Sequence, residues 1–173
     1  LSPDVNAVKT NIQALATAYN EVVKFINERT TYDTTTKQGG VFFNESSART
    51  VLSQLRTALS SSVSGATVYS GVGQIGFKTG RDGTITVDDG QLTTALSTNY
   101  NGVKALFSNQ GSVTGLAQSI VSAVDALNDV SGGVLTLRKN GLTSEISRIG
   151  DDIVRQEDSV SRYEERLRRQ FEA

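Results

Sequence analysis

Two stretches, one near each end of this chain, carry apolar residues at alternating steps of three and four, the a/d spacing of helices that pack along a seam. Near the start the series is Val5, Val8, Ile12, Leu15, Tyr19, Val22 and Ile26. Near the end it is Leu142, Ile146, Ile149, Ile153, Val160, Tyr163, Leu167 and Phe171, with polar Gln156 at the one position that interrupts the run. A seam needs a partner. It can be the core of an intramolecular bundle or an interface between chains, and two seams of similar length in one chain favour the first. The expected fold class is therefore mainly α with a small β part: an elongated helical bundle with long antiparallel N- and C-terminal helices plus a β-hairpin, in a single rod-like domain over residues 1–173. Tyr163, Leu167 and Phe171 overrun the first helix in that arrangement and call for another chain or further sequence. A charge at Ile153, inside the seam, is expected to cost roughly 3 kcal/mol or more.

Composition removes most chemistry. The chain has no His, Cys, Met or Trp, so imidazole bases, thiolate nucleophiles, disulfides and the common zinc ligand sets are unavailable. The absence of cysteine does not assign a redox compartment, because it fits a reducing cytosol and a disulfide-free exterior protein equally. Aromatic residues make up 6% of the chain, so the core must be aliphatic. The formal net charge is −1, and the arginines of the tail (Arg162, Arg166, Arg168, Arg169) alternate with Asp158, Glu164, Glu165 and Glu172, which leaves no basic stripe for nucleic-acid phosphates. No long uncharged apolar run offers a membrane span, and no basic leader followed by an apolar stretch offers a signal peptide. The opening residue is not Met, and the chain reads as a fragment of a longer protein.

Between the seams the pattern changes several times. Ser2 and Asp4 flank Pro3, a residue allowed only in a first helical turn, so the first helix begins there, runs to about Arg29 and ends at Thr30 and Thr31. Residues 32–40 combine turn formers and β-branched residues without helical period and predict an ordered polar loop. Asn44 is a plausible N-cap for a helix over residues 44–62 whose apolar face is Ala48, Val51, Leu52, Leu55 and Leu59. A Ser- and Gly-rich stretch then leads into a period-two pattern. There Ile75 and Phe77 share one face, Ile85 and Val87 share another, and Thr79-Gly80-Arg81-Asp82-Gly83 turns between them, predicting a β-hairpin at about residues 73–88. Two strands alone are marginal, so the hairpin is expected as an appendage that lays the apolar face of Ile75, Phe77, Ile85 and Val87 on the helices. Asp88 with Gln91 resembles a capping box for a short helix through Leu92, Ala95 and Leu96, followed by a separate apolar run at Val103, Leu106 and Phe107. Val113, Leu116, Ile120, Val121, Val124 and Leu127 mark one more helix, Ser131-Gly132-Gly133 breaks the chain, and the last long helix starts at about Val134. Gly141 and Gly150 inside it predict a bend or a close helix contact.

The chemical motifs resolve into structure. Gly71-Val72-Gly73-Gln74-Ile75-Gly76 matches the dinucleotide-binding string, but no buried strand precedes it and no helix can follow it, so its glycines shape the entrance of the hairpin. Asp82, Asp88 and Asp89 lack the alternating oxygen ligands and closing Glu of a calcium loop and suit turns and caps. Asp151 with Asp152, and Glu164 with Glu165, are surface neighbours that do not face each other across a cleft. No catalytic, metal or cofactor site is expected, and the chain is not expected to be an enzyme.

In order and spacing, nearly the whole chain resembles the C-terminal region of the bacterial flagellar filament capping protein family, also called hook-associated protein 2. The resemblance is carried by Ala18-Tyr19-Asn20 with Val23 and Ile26, by Tyr32-Asp33, and by Gly40 leading through Ser46 and Arg49 to Leu52, Leu55, Arg56 and Leu59. It continues in Gly73-Gln74-Ile75-Gly76, in Asp82-Gly83-Thr84-Ile85-Thr86-Val87-Asp88, in Leu92 with Ala95-Leu96, and in Val103-Lys104-Ala105-Leu106-Phe107. Gly133, Leu135, Arg138, Leu142, Ile146, Ile149, Ile153, Glu157, Tyr163, Glu164, Arg166, Leu167 and Gln170-Phe171 resemble the family's closing helix. Phe42-Phe43-Asn44-Glu45-Ser46 departs from it, standing where the family usually has a Gly-Asp turn before Ser. The resemblance implies a larger protein with an N-terminal helix, outer β-rich domains and terminal coiled-coil segments absent from this sequence. It implies export through the flagellar channel without a cleaved signal peptide and an extracellular place at the filament tip. The implied partners are further copies of itself, flagellin and the filament tip, with host mucin or matrix reached through the missing domains in an adhesive variant. The implied work is to promote folding and insertion of flagellin, without covalent chemistry or cofactor. Flagellin or another axial component, or a cap-associated adhesin, is the alternative.

Overall fold

The computed structural model describes residues 4–64, 68–109, 111 and 113–172. The elements, in chain order, are α1 (Val5–Thr30), β1 (Tyr32–Asp33), β2 (Gln38–Gly39), α2 (Ser46–Ser60), a single 3-10 turn (Val72–Ile75), β3 (Phe77–Thr79), β4 (Ile85–Val87), α3 (Asp89–Phe107), α4 (Leu116–Asn128) and α5 (Val134–Phe171). This is a mainly α fold with two small antiparallel strand pairs, β1 with β2 and β3 with β4. Where a single rod-like domain was expected, the chain divides into two compact units, Leu1–Asn128 and Asp129–Ala173.

In the first unit α1 opens on Asp4, whose carboxylate accepts from the Ala7 N–H at 2.9 Å; Ser2 and Pro3 lie outside the described residues. The apolar face of α1 departs from a strict heptad. Ile12, Ala16, Val23 and Ile26 are buried, whereas Val22 is exposed. A straight helix repeats every 3.6 residues, so a 3.5-residue series drifts by about 20° per heptad and the core passes from Val22 to Val23. Val5, Val8, Leu15 and Tyr19 are half-buried on the same side. Within the first unit, β4, α3 and α2 pack against α1.

Residues 32–39, expected as a loop, form a small hairpin with Tyr32 opposite Gly39 and Asp33 opposite Gln38. The Asp33 carboxylate holds its turn by accepting from the Thr35 and Thr36 N–H groups at 2.8 and 3.2 Å. Asn44 lies one residue before the cap and takes a positive φ of 66°, so α2 is capped at Glu45 and begins at Ser46. Ala48, Val51, Leu55, Ala58 and Leu59 are its buried residues.

The second hairpin corrects the sequence expectation in two ways. Ile75 belongs to the 3-10 turn rather than to a strand, and Phe77 pairs with Val87 and Thr79 with Ile85, so the apolar residues of both strands share one face. That face is core rather than appendage: Ile75, Phe77 and Ile85 are buried, and Val87 packs against them. The Gly71–Gly76 string thus forms the turn into β3, in keeping with a structural role for its glycines. Gly83 has φ of 86°, the left-handed conformation that lets so short a turn close.

Asp88 caps α3 by accepting from the Gln91 N–H at 3.0 Å. A short helix followed by a separate apolar run was expected here, and the two form one kinked helix. Asn99 leaves helical geometry at φ −148° and ψ 75°, while its side-chain oxygen accepts from the Gly102 N–H at 2.7 Å and restarts the helix. Leu92, Leu96, Val103 and Leu106 from both halves enter the core, joined by Leu116 from α4. Among the described residues no polar or charged residue is buried, and this core is mostly aliphatic, with Phe77 as its buried aromatic member.

The second unit is the turn at residues 129–133 and α5. The Asp129 carboxylate accepts from the Ser131 and Gly132 N–H groups at 2.9 and 2.8 Å, so the predicted Ser-Gly-Gly interruption is an ordered turn. α5 runs for 38 residues, about 57 Å at 1.5 Å per residue. A Cβ added at Gly141 or at Gly150 would project into open space beside its own helix.

Candidate interaction surfaces

Of the residues singled out in the sequence, Ile12, Ile26, Ile75, Phe77 and Ile85 are buried in the first unit, and the α5 series is largely exposed. The α5 seam keeps its spacing and stays open. No residue of α5 is buried; Ile146 is 70% exposed, Ile153 53% and Phe171 87%, and Leu142, Ile149, Val160 and Tyr163 are likewise exposed, with Leu167 half-buried. Isolated helices draw little stability from propensity and most from packing an apolar face, so a stripe of this length is built to be covered.

A second surface lies inside the first unit, where the half-buried part of the first seam meets α3 and α4. Val8, Leu15, Tyr100, Val103, Phe107 and Ala117 line an apolar groove of about 500 Å³, with Asn11, Lys104 and Ser108 as its polar members. Val8 and Leu15 are the seam residues that β4 and α3 leave partly open.

A third surface escaped the sequence reading, which took residues 32–40 as polar. The chain after β2 folds back over the end of α1, with the Gly40 N–H donating to Thr31 O at 2.9 Å and the Phe42 N–H to Arg29 O at 2.8 Å, so it satisfies carbonyls that a helix end leaves unpaired. A Cβ at Gly40 would collide with the Arg29 carbonyl, which is why glycine stands there. The Phe25 and Phe42 rings lie 6.1 Å apart, Tyr32 and Phe43 5.6 Å apart, and the Arg29 guanidinium sits 3.7 Å from the Phe25 ring centre. Phe25, Tyr32, Val41 and Phe43 remain exposed around it. Phe42 and Phe43 beside a Gly-Gly pair are the signal that could have revealed the cluster.

The electrostatics of the first unit are those of turns and caps. The Thr84 hydroxyl and N–H hold the Asp82 carboxyl below the ordinary aspartate range, and the Gln91 N–H followed by the Lys78 ammonium, 3.0 Å away, does the same for Asp88. The Thr35 N–H, then the Thr36 hydroxyl, lowers Asp33. Groups with depressed folded-state values stabilise fully above the unfolded value and lose that contribution as pH falls through the lower folded one. The Thr84 and Gln91 amide resonances are therefore expected to titrate with midpoints below that of an unstructured aspartate in an NMR series down to acid pH; midpoints at or above it would show that these bonds do not favour the ionised form. Among the described residues no three His, Cys, Asp or Glu side chains are grouped to hold a metal ion, and no helix is long and apolar enough to cross a membrane.

The chain is a mainly helical fold with two small strand pairs that leaves apolar residues exposed along α5 and around the Phe25 ring. The whole chain, residues 1–173, matches the family described as the C-terminus of flagellar hook-associated protein 2. The chain belongs to that family. It is 28% identical over 178 residues to the B-type flagellar hook-associated protein 2 of Pseudomonas aeruginosa, aligning with 99% of this chain and 36% of that protein. With the flagellar hook-associated protein 2 of Escherichia coli strain K12 it shares 27% identity over 176 residues, 97% of this chain and 37% of the relative. Its fold is similar to the crystal structure of the flagellar cap protein FliD D1-D2-D3 domains from Escherichia coli, with a TM-score of 0.69 and 28% identity over 80% of this chain and 37% of that one. The chain thus spans a little over a third of the length of these relatives.

Proposed function

We propose that this chain is the C-terminal region of a structural component of the flagellar filament cap, a protein that oligomerises at the filament tip and promotes the folding and insertion of flagellin. The observation that carries this reading is the match of all 173 residues to the C-terminal family of hook-associated protein 2. The likeness to a solved flagellar cap protein supports it. The physical features agree with it: a mostly aliphatic core in which no described polar or charged residue is buried, and an apolar stripe on α5 open to a partner. Copies of the same protein, the filament tip and flagellin are the partners in this reading, and the place of action is extracellular, reached by flagellar export without a cleaved signal peptide. The work needs no covalent step and no cofactor; apolar surfaces that order neighbouring chains suffice.

The test is deletion of the full gene in its own bacterium and restoration from a plasmid, followed by electron microscopy of the cells and assay of flagellin in the medium. Short or absent filaments with monomeric flagellin released, both reversed by the plasmid, are the expected result. Normal filaments after deletion would overturn the cap reading and turn attention to another axial or adhesive role.

A further inference from the structure

α1 runs beside β4 where a third strand would otherwise lie. The β3–β4 strands exchange backbone bonds at positions flanking the Thr79–Ile85 pair, with the Gly80 N–H donating to Thr84 O at 2.7 Å, so the Ile85 N–H and C=O point outward to the open edge. Asn20 takes both. The Ile85 N–H donates to Asn20 Oδ1 at 2.7 Å, and Asn20 Nδ2 donates to Ile85 O at 2.7 Å, so one side-chain amide supplies both bonds of a neighbouring strand. Further along α1, Asn27 Nδ2 donates to Asp82 O at 2.8 Å. In the other direction Gln13 Nε2 donates to Asp89 Oδ1, at the start of α3, at 2.9 Å.

Gln13, Asn20 and Asn27 follow one another at seven-residue intervals. Seven residues of α-helix rise about 10.5 Å, and over that rise α1 meets first Ile85, where β4 begins, and then Asp82 in the turn before it. The rungs at Asn20 and Asn27 are made together, one on each side of that rise. We propose that Gln13, Asn20 and Asn27 form an axial register lock that fixes α1 against the hairpin and the start of α3, so that the three move along the helix axis as one body. Sliding α1 by one turn, about 5.4 Å, breaks every rung together. The residues one turn away, Ala16 or Thr17 on one side and Val23 or Lys24 on the other, carry no side-chain amide, so the paired bonds that Asn20 makes to Ile85 are not re-formed in a neighbouring register.

The chain has no cysteine, so Asn6→Cys with Arg81→Cys places two spin labels, at the exposed start of α1 and on the hairpin turn, without background labelling. Dipolar electron paramagnetic resonance is expected to give one narrow distance in this background. Adding Asn20→Ala with Asn27→Ala is expected to broaden it or shift part of the population by about one helical turn, while Glu21→Ala, outside the ladder, leaves it unchanged. Hydrogen exchange at the Ile85 amide should rise about tenfold or more in Asn20→Ala, the change that follows from losing roughly 1.4 kcal/mol of local protection. A folded double variant that keeps the single narrow distance, or an Ile85 amide with unchanged protection, overturns the proposal. If circular dichroism shows the double variant unfolded, Gln13→Ala with Asn27→Ala removes only exposed rungs and is judged by the same distance criterion.

Discussion

Leu96→Asp is expected to unfold the first unit at neutral pH, with a loss of at least about 4 kcal/mol in urea titration followed by circular dichroism. Leu96 is 1% exposed and belongs to a cluster with Ile75, Leu92 and Leu106, in which no described polar residue is buried. A carboxylate placed there finds no donor in the core and must either stay ionised out of water or take up a proton. Burial raises its folded-state pKa above the unfolded value near 4. Relative to the parent chain, the deficit is therefore smallest below about pH 4 and grows as pH rises through the folded value. Since whole domains are stable by about 5–15 kcal/mol, a loss of this size decides whether the unit folds. Leu96→Ala, which leaves a cavity without a charge, should cost about 2–5 kcal/mol and show no such pH dependence. A urea midpoint equal to the parent's for Leu96→Asp would place this residue outside the core.

Ile153→Asp and Ile146→Asp on α5 are expected to behave in the opposite way. The sequence pattern predicted a loss of about 3 kcal/mol or more at Ile153, as for any charge in a buried seam. With Ile153 53% and Ile146 70% exposed, the same substitutions should leave the unfolding of the first unit within about 0.5 kcal/mol of the parent. Their effect should fall on assembly. In the full-length protein, either charge would have to be desolvated when a partner helix covers the stripe, so the variants should fail to restore filaments to the deletion strain while remaining folded and exported. Restored filaments of normal length would show that the α5 stripe is not used as an interface.

Local rules made much of this fold legible. The 3–4 spacing marked α1 and α5, the Asp88-to-Gln91 interval marked the start of α3, and Ser131-Gly132-Gly133 marked the break before α5, because each signal acts over one or two helical turns. The hairpin was legible for the same reason, through Asp82-Gly83 between alternating residues. The open aromatic cluster around Phe25 was not, because it joins residues from a helix and a loop that share no periodicity.

The sequence by itself determined the long helices, the second hairpin, the largely aliphatic character of the core and the absence of imidazole and thiol chemistry, since propensity, capping and composition reside in short stretches of chain. Only the tertiary structure decided which face of each element is core. It put Val23 rather than Val22 inside, turned Ile75 out of the strand and into the heart of the first unit, and assigned Asn20 to the open edge at Ile85. Those choices depend on which distant segments meet. A seam in the sequence specifies that an apolar partner is needed, and the partner is selected by shape and hydrogen-bond matching between residues tens of positions apart.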